Sequence, residues 1–309
     1  MTLNVTHLSS RAVMLSLADN RAIRRMLVQN GMSKGLVQRF VAGESLEDAL
    51  AAARSLQARG LDAALDLLGE NVSSEAEAQA AGDAYIGVLE AASGGLSRPY
   101  VSVKLTALGL DLGDSLAAGH LRRILQAARA QAFVRVDMEG SAYTQRTLDI
   151  VRAAHDEFPD TGTVLQSSLR RTDADLAALI ADRISVRLVK GAYAEPPAVA
   201  YPNKPDVDAA YIRQMHCLLQ DGVRPAIASH DEAILRAAKR FVRQERIGND
   251  RFEFQLLLGI RRDLQESLAA EGYHVRAYVP FGASWYPYFM RRLAERPANV
   301  GFILRNLMK

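Results

Sequence analysis

Several short apolar runs in this chain end on a side chain that can donate a proton, carry charge or recognise a ligand: Lys104, Asp137, Gln166, Arg187 with Lys190, His230, Gln255 and Tyr278. Each has a plain structural role available beside a chemical one. Lys104 suits an interior lysine paired to Asp137, and Asp137 suits a helix cap. Gln166 and Gln255 suit buried backbone groups in need of partners, and His230 between Ser229 and Asp231 suits a helix start. The run Val186-Arg187-Leu188-Val189-Lys190-Gly191-Ala192-Tyr193 sets two cations three residues apart in an otherwise apolar strand, which calls for an anion to meet them. A lysine at such a run end also suits a Schiff-base nucleophile, so a carbon–carbon lyase using Lys104 or Lys190 stands as an alternative chemistry. No two histidines have metal-ligand spacing and Cys217 is the only cysteine, so neither a zinc site nor a disulfide is expected.

A second group lies near the C-terminus, over residues 285–297. At 100° per residue, Tyr288, Arg291, Arg292 and Glu295 fall on one helical stripe, while Trp285, Tyr286, Phe289 and Leu293 occupy another face. One reading is a solvated stripe held by an Arg291–Glu295 pair at i,i+4. The other is a paired-guanidinium grip on a small carboxylate beside a tyrosine.

These residues need elements that bring them together. Strand-like runs are expected over 61–67, 100–105, 133–137, 162–166, 184–190, 225–229, 252–256 and 274–279. Segments with helical apolar spacing separate them, for example 76–86, 145–154 and 232–242, and capping boxes are expected at Thr172 with Asp175 and at Ser229 with Glu232. Strands alternating with helices imply a parallel sheet, and eight such units imply an α/β fold of the (β/α)8 TIM-barrel type, in which functional groups gather at the C-terminal strand ends. No Gly-x-Gly-x-x-Gly follows any of these strands, so the Rossmann fingerprint is missing. The expected organisation is an N-terminal helical arm over 1–55 and a catalytic barrel over 56–309.

The chain has 309 residues, 49% hydrophobic and 24% charged, with a formal net charge of +3. That balance fits a globular protein and argues against a nucleic-acid partner. The basic group Arg21, Arg24, Arg25, Lys34 and Arg39 reads as a solvated helix face, with contact to an anionic membrane surface as the minor alternative. No uninterrupted apolar stretch of about 18 residues and no export signal is seen, so the expected location is cytoplasmic.

Four separated motifs resemble the proline dehydrogenase family: Val101-Ser102-Val103-Lys104-Leu105, Arg187 through Tyr193, Phe252-Glu253-Phe254-Gln255-Leu256-Leu257-Leu258-Gly259, and Tyr278-x-Pro280-x-Gly282 running on to Arg291-Arg292-x-x-Glu295. The similarity spans about residue 60 to the C-terminus, and the chain length suits the monofunctional form. The resemblance implies a distorted barrel with non-covalent FAD at its mouth and a final helix packed over it. It implies oxidation of L-proline to Δ1-pyrroline-5-carboxylate, with electrons passed to a membrane quinone. Peripheral contact with the inner face of the membrane and a link to pyrroline-5-carboxylate dehydrogenase belong to the same implication. Carried over by motif, Arg291, Arg292 and Lys104 bind the proline carboxylate, Tyr278 and Tyr288 wall the pocket, Leu257 meets the ring, Asp137 organises the ion pairs and Glu295 pairs with an arginine. Flavin contacts fall to Asp137, Met138, Gln166, Arg187, Val189, Lys190, Gly191, Ala192, Tyr193, Ala228, Ser229 and His230, with Arg187 toward flavin N5; Arg187 and Lys104 are the expected catalytic residues. Ala194 stands where the family often has an aromatic residue, so one adenine or flavin contact of the family is not carried over, and the side chains of the 201–205 loop are not placed by the sequence. A non-catalytic module using the basic arm and terminal helix to hold a partner completes the alternatives.

Overall fold

The computed structural model describes residues 37–129 and 131–294, with backbone alone for Arg291, Leu293 and Ala294. Eight parallel strands alternate with helices: β1 (Asp62–Leu67), β2 (Tyr100–Val103), β3 (Phe133–Val136), β4 (Thr161–Gln166), β5 (Ser185–Val189), β6 (Ala226–Ala228), β7 (Glu253–Leu257) and β8 (Val275–Phe281). They close in chain order, with β1 pairing β2 on one side and β8 on the other. The expected (β/α)8 barrel is therefore present, with every strand where the apolar runs placed it to within two residues at either end. The strands are buried almost throughout, β2 and β4 at every residue, because helices cover one face and the opposite strands cover the other.

The helices are α1 (Leu46–Gln57), α2 (Glu75–Gly95), α3 (Asp114–Ala128), α4 (Thr144–His155), α5 (Thr172–Ala181), α6 (Lys204–Asp221), α7 (Glu232–Gln244), α8 (Arg262–Ala270) and α9 (Trp285–Ala294). Helix α1 starts at a complete capping box of Ser45 and Asp48, and it buries Ala49, Ala53 and Leu56 in the same core as the barrel. Residue 55 thus lies inside a helix that packs on β1 and β8. Both expected capping boxes are corrected. Thr172 Oγ1 donates instead to the Gln166 carbonyl, tying α5 back to the end of β4. At α7 the cap is Asp231, whose carboxylate accepts from the Ala233 amide, while Ser229 Oγ accepts from the Asp231 amide one turn earlier.

Helix α9 ends the described chain across the mouth. Its Trp285, Tyr286, Tyr288, Phe289 and Met290 form an apolar cluster of their own with Phe40, Val41, Leu68 and Ile260. Trp285 Nε1 donates to Glu44 Oε1 at 2.7 Å, which fixes the start of the helix against the segment before α1. Of the basic group, Arg39 is described: its Nε donates to the Gly259 carbonyl and its guanidinium lies over the Phe40 ring. Arg21, Arg24, Arg25 and Lys34 lie outside the described residues, as does Glu295.

Candidate active site at the barrel mouth

The barrel interior is charged along its length. Near its N-terminal end, Arg135 of β3 is 1% exposed, and its guanidinium donates to the Tyr100 hydroxyl, the Thr163 and Ser185 carbonyls and Ser185 Oγ. Gly162 of β4 leaves the room for it, since a side chain there would meet Arg135 Nη1 and Phe133. Arg276 of β8 pairs with Glu253 at 3.0 Å and lies over the Tyr100 ring. A hollow of about 410 Å³ opens at this end, but Arg98, Arg224 and Arg276 on its wall already face Asp62, Asp160 and Glu253. These groups satisfy one another, in keeping with a structural role at this face of a barrel.

At the opposite, C-terminal end the charges surround a cavity of about 520 Å³. Lys104 and Asp137 are the first residues after β2 and β3, where each side chain meets the mouth. Arg187 and Tyr278 sit inside β5 and β8 rather than at their ends, and Gln255 is likewise in mid-strand on β7, with side chains that reach across the interior. Arg187 donates to Asp137 Oδ1 at 2.7 Å and to Ser102 Oγ at 3.1 Å, and the Tyr278 hydroxyl donates to Asp137 Oδ2 at 2.6 Å. Burial and the Asp137 carboxylate push the Tyr278 phenol well above its ordinary value, so it stays a donor. Glu139, two residues beyond Asp137, accepts from the Thr106 amide and hydroxyl, and burial raises its carboxyl.

Lys104 makes the expected ion pair with Asp137, but a second carboxylate lies nearer. Its ammonium lies 2.5 Å from Asp66 of β1 and 3.9 Å from Asp137. Burial pushes Lys104 down, but Asp66, ahead of Tyr85 and Asp137, raises it above the ordinary lysine value. Burial raises the Asp66 carboxyl as well, against the pull of Lys104. Lys190 meets Asp208 at 2.5 Å and Asp231 at 2.8 Å, and Lys204 joins the same two carboxylates. The anions called for by Arg187 and Lys190 are thus supplied from within the chain. Lys104, raised and ion-paired, is a poor Schiff-base nucleophile, which needs the free amine, and the Lys190 ammonium is occupied by two carboxylates.

The remaining expected residues whose side chains are described converge on the same cavity. Met138, Gln166, Val189, Gly191, Ala192, Tyr193, Ala228, Ser229, His230 and Leu257 line it, and α9 adds Tyr288 and Arg292. Gln166 donates to the Glu139 carbonyl, and His230 Nε2 accepts from the Leu257 amide at 2.9 Å, joining β6 to β7. Gly191 has φ +105°, and a Cβ there would collide with Ser168 Oγ, so this turn of the wall needs glycine. The Arg292 guanidinium lies over the Tyr288 ring at 5.4 Å. The stripe expected either as solvated or as gripping faces the cavity at both described members, Tyr288 and Arg292. Asp66, Glu70, Glu139 and Asp231 also line it and were missed by the sequence reading. Asp66 carried a usable signal, being, with Asp62, one of two acids in the apolar run 61–67 and the one nearer its C-terminal, mouth-facing end.

Two donor and acceptor atoms of the wall have no partner within the protein: Arg187 Nε and Gln255 Oε1, both buried. Unused buried polar atoms beside a large, partly apolar cavity are the marks of a ligand or cofactor site.

A sequence model of the family described as proline dehydrogenase matches residues 49–305. The chain belongs to the proline dehydrogenase family. It is 43% identical over 305 residues to the proline dehydrogenase of Deinococcus radiodurans, covering 97% of this chain and 98% of that one. It is 39% identical over 300 residues to proline dehydrogenase 1 of Bacillus subtilis strain 168, covering 97% and 99%. Among solved structures, proline utilization A from Bdellovibrio bacteriovorus inactivated by N-propargylglycine superposes with a TM-score of 0.80 at 27% identity. That match covers 85% of this chain and 33% of the larger one, so the present chain corresponds to about a third of that protein. Membership in the proline dehydrogenase family agrees with the closed barrel and with the motif residues, which lie on β2, β5, β7, β8 and α9. No described helix is long and apolar enough to cross a membrane.

Proposed function

We propose that this protein oxidises L-proline to Δ1-pyrroline-5-carboxylate with a non-covalently held FAD at the barrel mouth. The observation that carries the reading is the meeting, in one cavity, of Lys104, Asp137, Arg187 and Tyr278 from the barrel with Tyr288 and Arg292 from α9. The wall residues fit a flavin: Arg187 Nε is an unused donor beside a fixed positive charge, and Gly191 keeps one stretch of wall free of side chain. Asp137, Met138, Gln166, Arg187, residues 189–193 and residues 228–230 would hold it. When bound, FAD would supply the hydride acceptor for proline C5 and a route for the electrons to a membrane quinone.

The chain's own residues orient and desolvate the substrate. Arg292 grips the proline carboxylate from α9 with Lys104 opposite; the motif partners Arg291, by its side chain, and Glu295 lie outside the described residues. A planar guanidinium over the Tyr288 ring is held for bidentate contact. Leu257, Tyr278 and Tyr288 close an apolar wall around the ring, which favours the neutral amine of the substrate. Asp137 holds Arg187 and Tyr278 in place through both carboxylate oxygens. The product would pass to an enzyme that oxidises pyrroline-5-carboxylate.

The test is an absorption spectrum of the purified protein, reconstituted with FAD, before and after anaerobic L-proline. Oxidised-flavin bands that bleach with proline are expected. No flavin uptake, or bands unmoved by proline, would overturn the proposal.

A further inference from the structure

Lys104 stands on the mouth wall with only 12% of its side chain exposed, so its charge must be answered by protein. The titratable and charged groups facing it are Asp66 on β1, Tyr85 on α2, Asp137 and Glu139 after β3, and Tyr278 on β8, with Arg187 of β5 behind Asp137. Asp137 is already engaged twice, by Arg187 at 2.7 Å and by the Tyr278 hydroxyl at 2.6 Å. Asp66, 1% exposed, is the carboxylate in direct contact with the ammonium. The four side chains Asp66, Lys104, Asp137 and Arg187 therefore alternate in sign across the mouth.

We propose that Asp66 is a positioning residue for the substrate site: it anchors the Lys104 ammonium where a proline carboxylate is to be held and keeps Lys104 from competing with Arg187 for Asp137. The inference rests on the proline-oxidising reading above and adds a residue that the motifs do not contain. A lysine is a point charge on a flexible stem, and its direction is set by whichever carboxylate holds it. Without Asp66, the nearest is Asp137 at 3.9 Å, and moving toward it draws Asp137 away from Arg187. Loss of Asp66 also removes the neighbour that offsets burial, so Lys104 gives up its proton at a lower pH.

The test uses Asp66→Asn in the FAD-loaded full chain, with melting temperature and flavin content as controls. Proline KM is expected to rise on the order of tenfold or more, the effect of misplacing one charge-assisted contact. A new alkaline limb, absent from the parent protein, is expected in the pH profile of kcat/KM as Lys104 deprotonates. A pH profile and KM unchanged from the parent protein overturn the inference, and so does a loss of kcat and stability alone. Where Asp66→Asn does not fold, Lys104→Met is compared with Lys104→Met/Asp66→Asn, in which no buried cation is left uncompensated. Equal proline affinity in these two, below that of the parent, supports action through Lys104. A further loss in the double variant, or parent-like affinity in Lys104→Met, overturns it. A parent protein inert to proline would instead overturn the functional reading itself.

Discussion

At the residue scale the mouth is a set of exchanged charges, and each member is expensive to remove singly. Asp137 serves two donors at once, and Arg187 is held by Asp137 and Ser102. Arg187→Met leaves the buried Asp137 with the Tyr278 hydroxyl and the more distant Lys104 ammonium at 3.9 Å, and the expected cost is about 3 kcal/mol of unfolding free energy, measured in urea. Arg292 contributes in another way, since its guanidinium sits on α9 over the Tyr288 ring and reaches the cavity from the helix rather than from the barrel. Arg292→Lys keeps the charge but loses the planar fork. Proline KM is expected to rise about tenfold or more with a smaller change in kcat, measured by steady-state kinetics.

At the element scale, two connections decide whether these side chains meet. One is the carboxylate pair Asp208 and Asp231, which ties Lys190 after β5 to the start of α7. Contact with Lys190 first, then the Ala233 amide, pulls the Asp231 carboxyl down to about 2. A depressed carboxyl stabilises the fold at pH above its ordinary value near 3.8, and the contribution disappears as pH falls through about 2. Asp231→Asn is therefore expected to lower the melting temperature at pH 6 and to converge with the parent protein as pH approaches 2, followed by thermal scans across that range. The other connection is the seat of α9. Phe289 is fully buried against the cluster that includes Phe40, and Phe289→Ala is expected to cost about 3–5 kcal/mol, seen in denaturation. The same variant is expected to weaken proline binding, because Tyr288 and Arg292 ride on that helix.

At the scale of the whole molecule, the closed barrel divides its charged interior into two ends with different fates. Toward the N-terminal end Arg135 answers carbonyls and hydroxyls, and Arg276 answers Glu253, so little donor capacity is left over. Toward the mouth, Arg187 Nε and Gln255 Oε1 remain unused beside the large cavity. Arg135→Met is accordingly expected to cost about 3 kcal/mol or more in stability while leaving kcat/KM per folded molecule unchanged, measured by urea titration alongside kinetics.

The sequence by itself determined the strand and helix order, because parallel strands buried on both faces read as uninterrupted apolar runs and the helices between them keep a separate period. It also determined which strand ends face the mouth: Lys104, Asp137, Gln166 and Lys190 stand at or just past strand ends, as a barrel requires of groups that serve its cavity. The helix starts were less legible. Thr172 and Ser229 have the right residue types for caps, but the hydroxyl of one was taken by the Gln166 carbonyl and that of the other by the Asp231 amide. Which charges pair is set by contacts far apart in the chain. Asp66 and Lys104 are 38 residues apart, and Asp137 and Tyr278 are 141 apart. Their contact depends on barrel closure and on register, quantities that no local pattern encodes. The same holds for α9: its stripe of Tyr288 and Arg292 had two sound readings in the sequence, and burial of the opposite face against Phe40, Val41 and Leu68 turned that stripe inward.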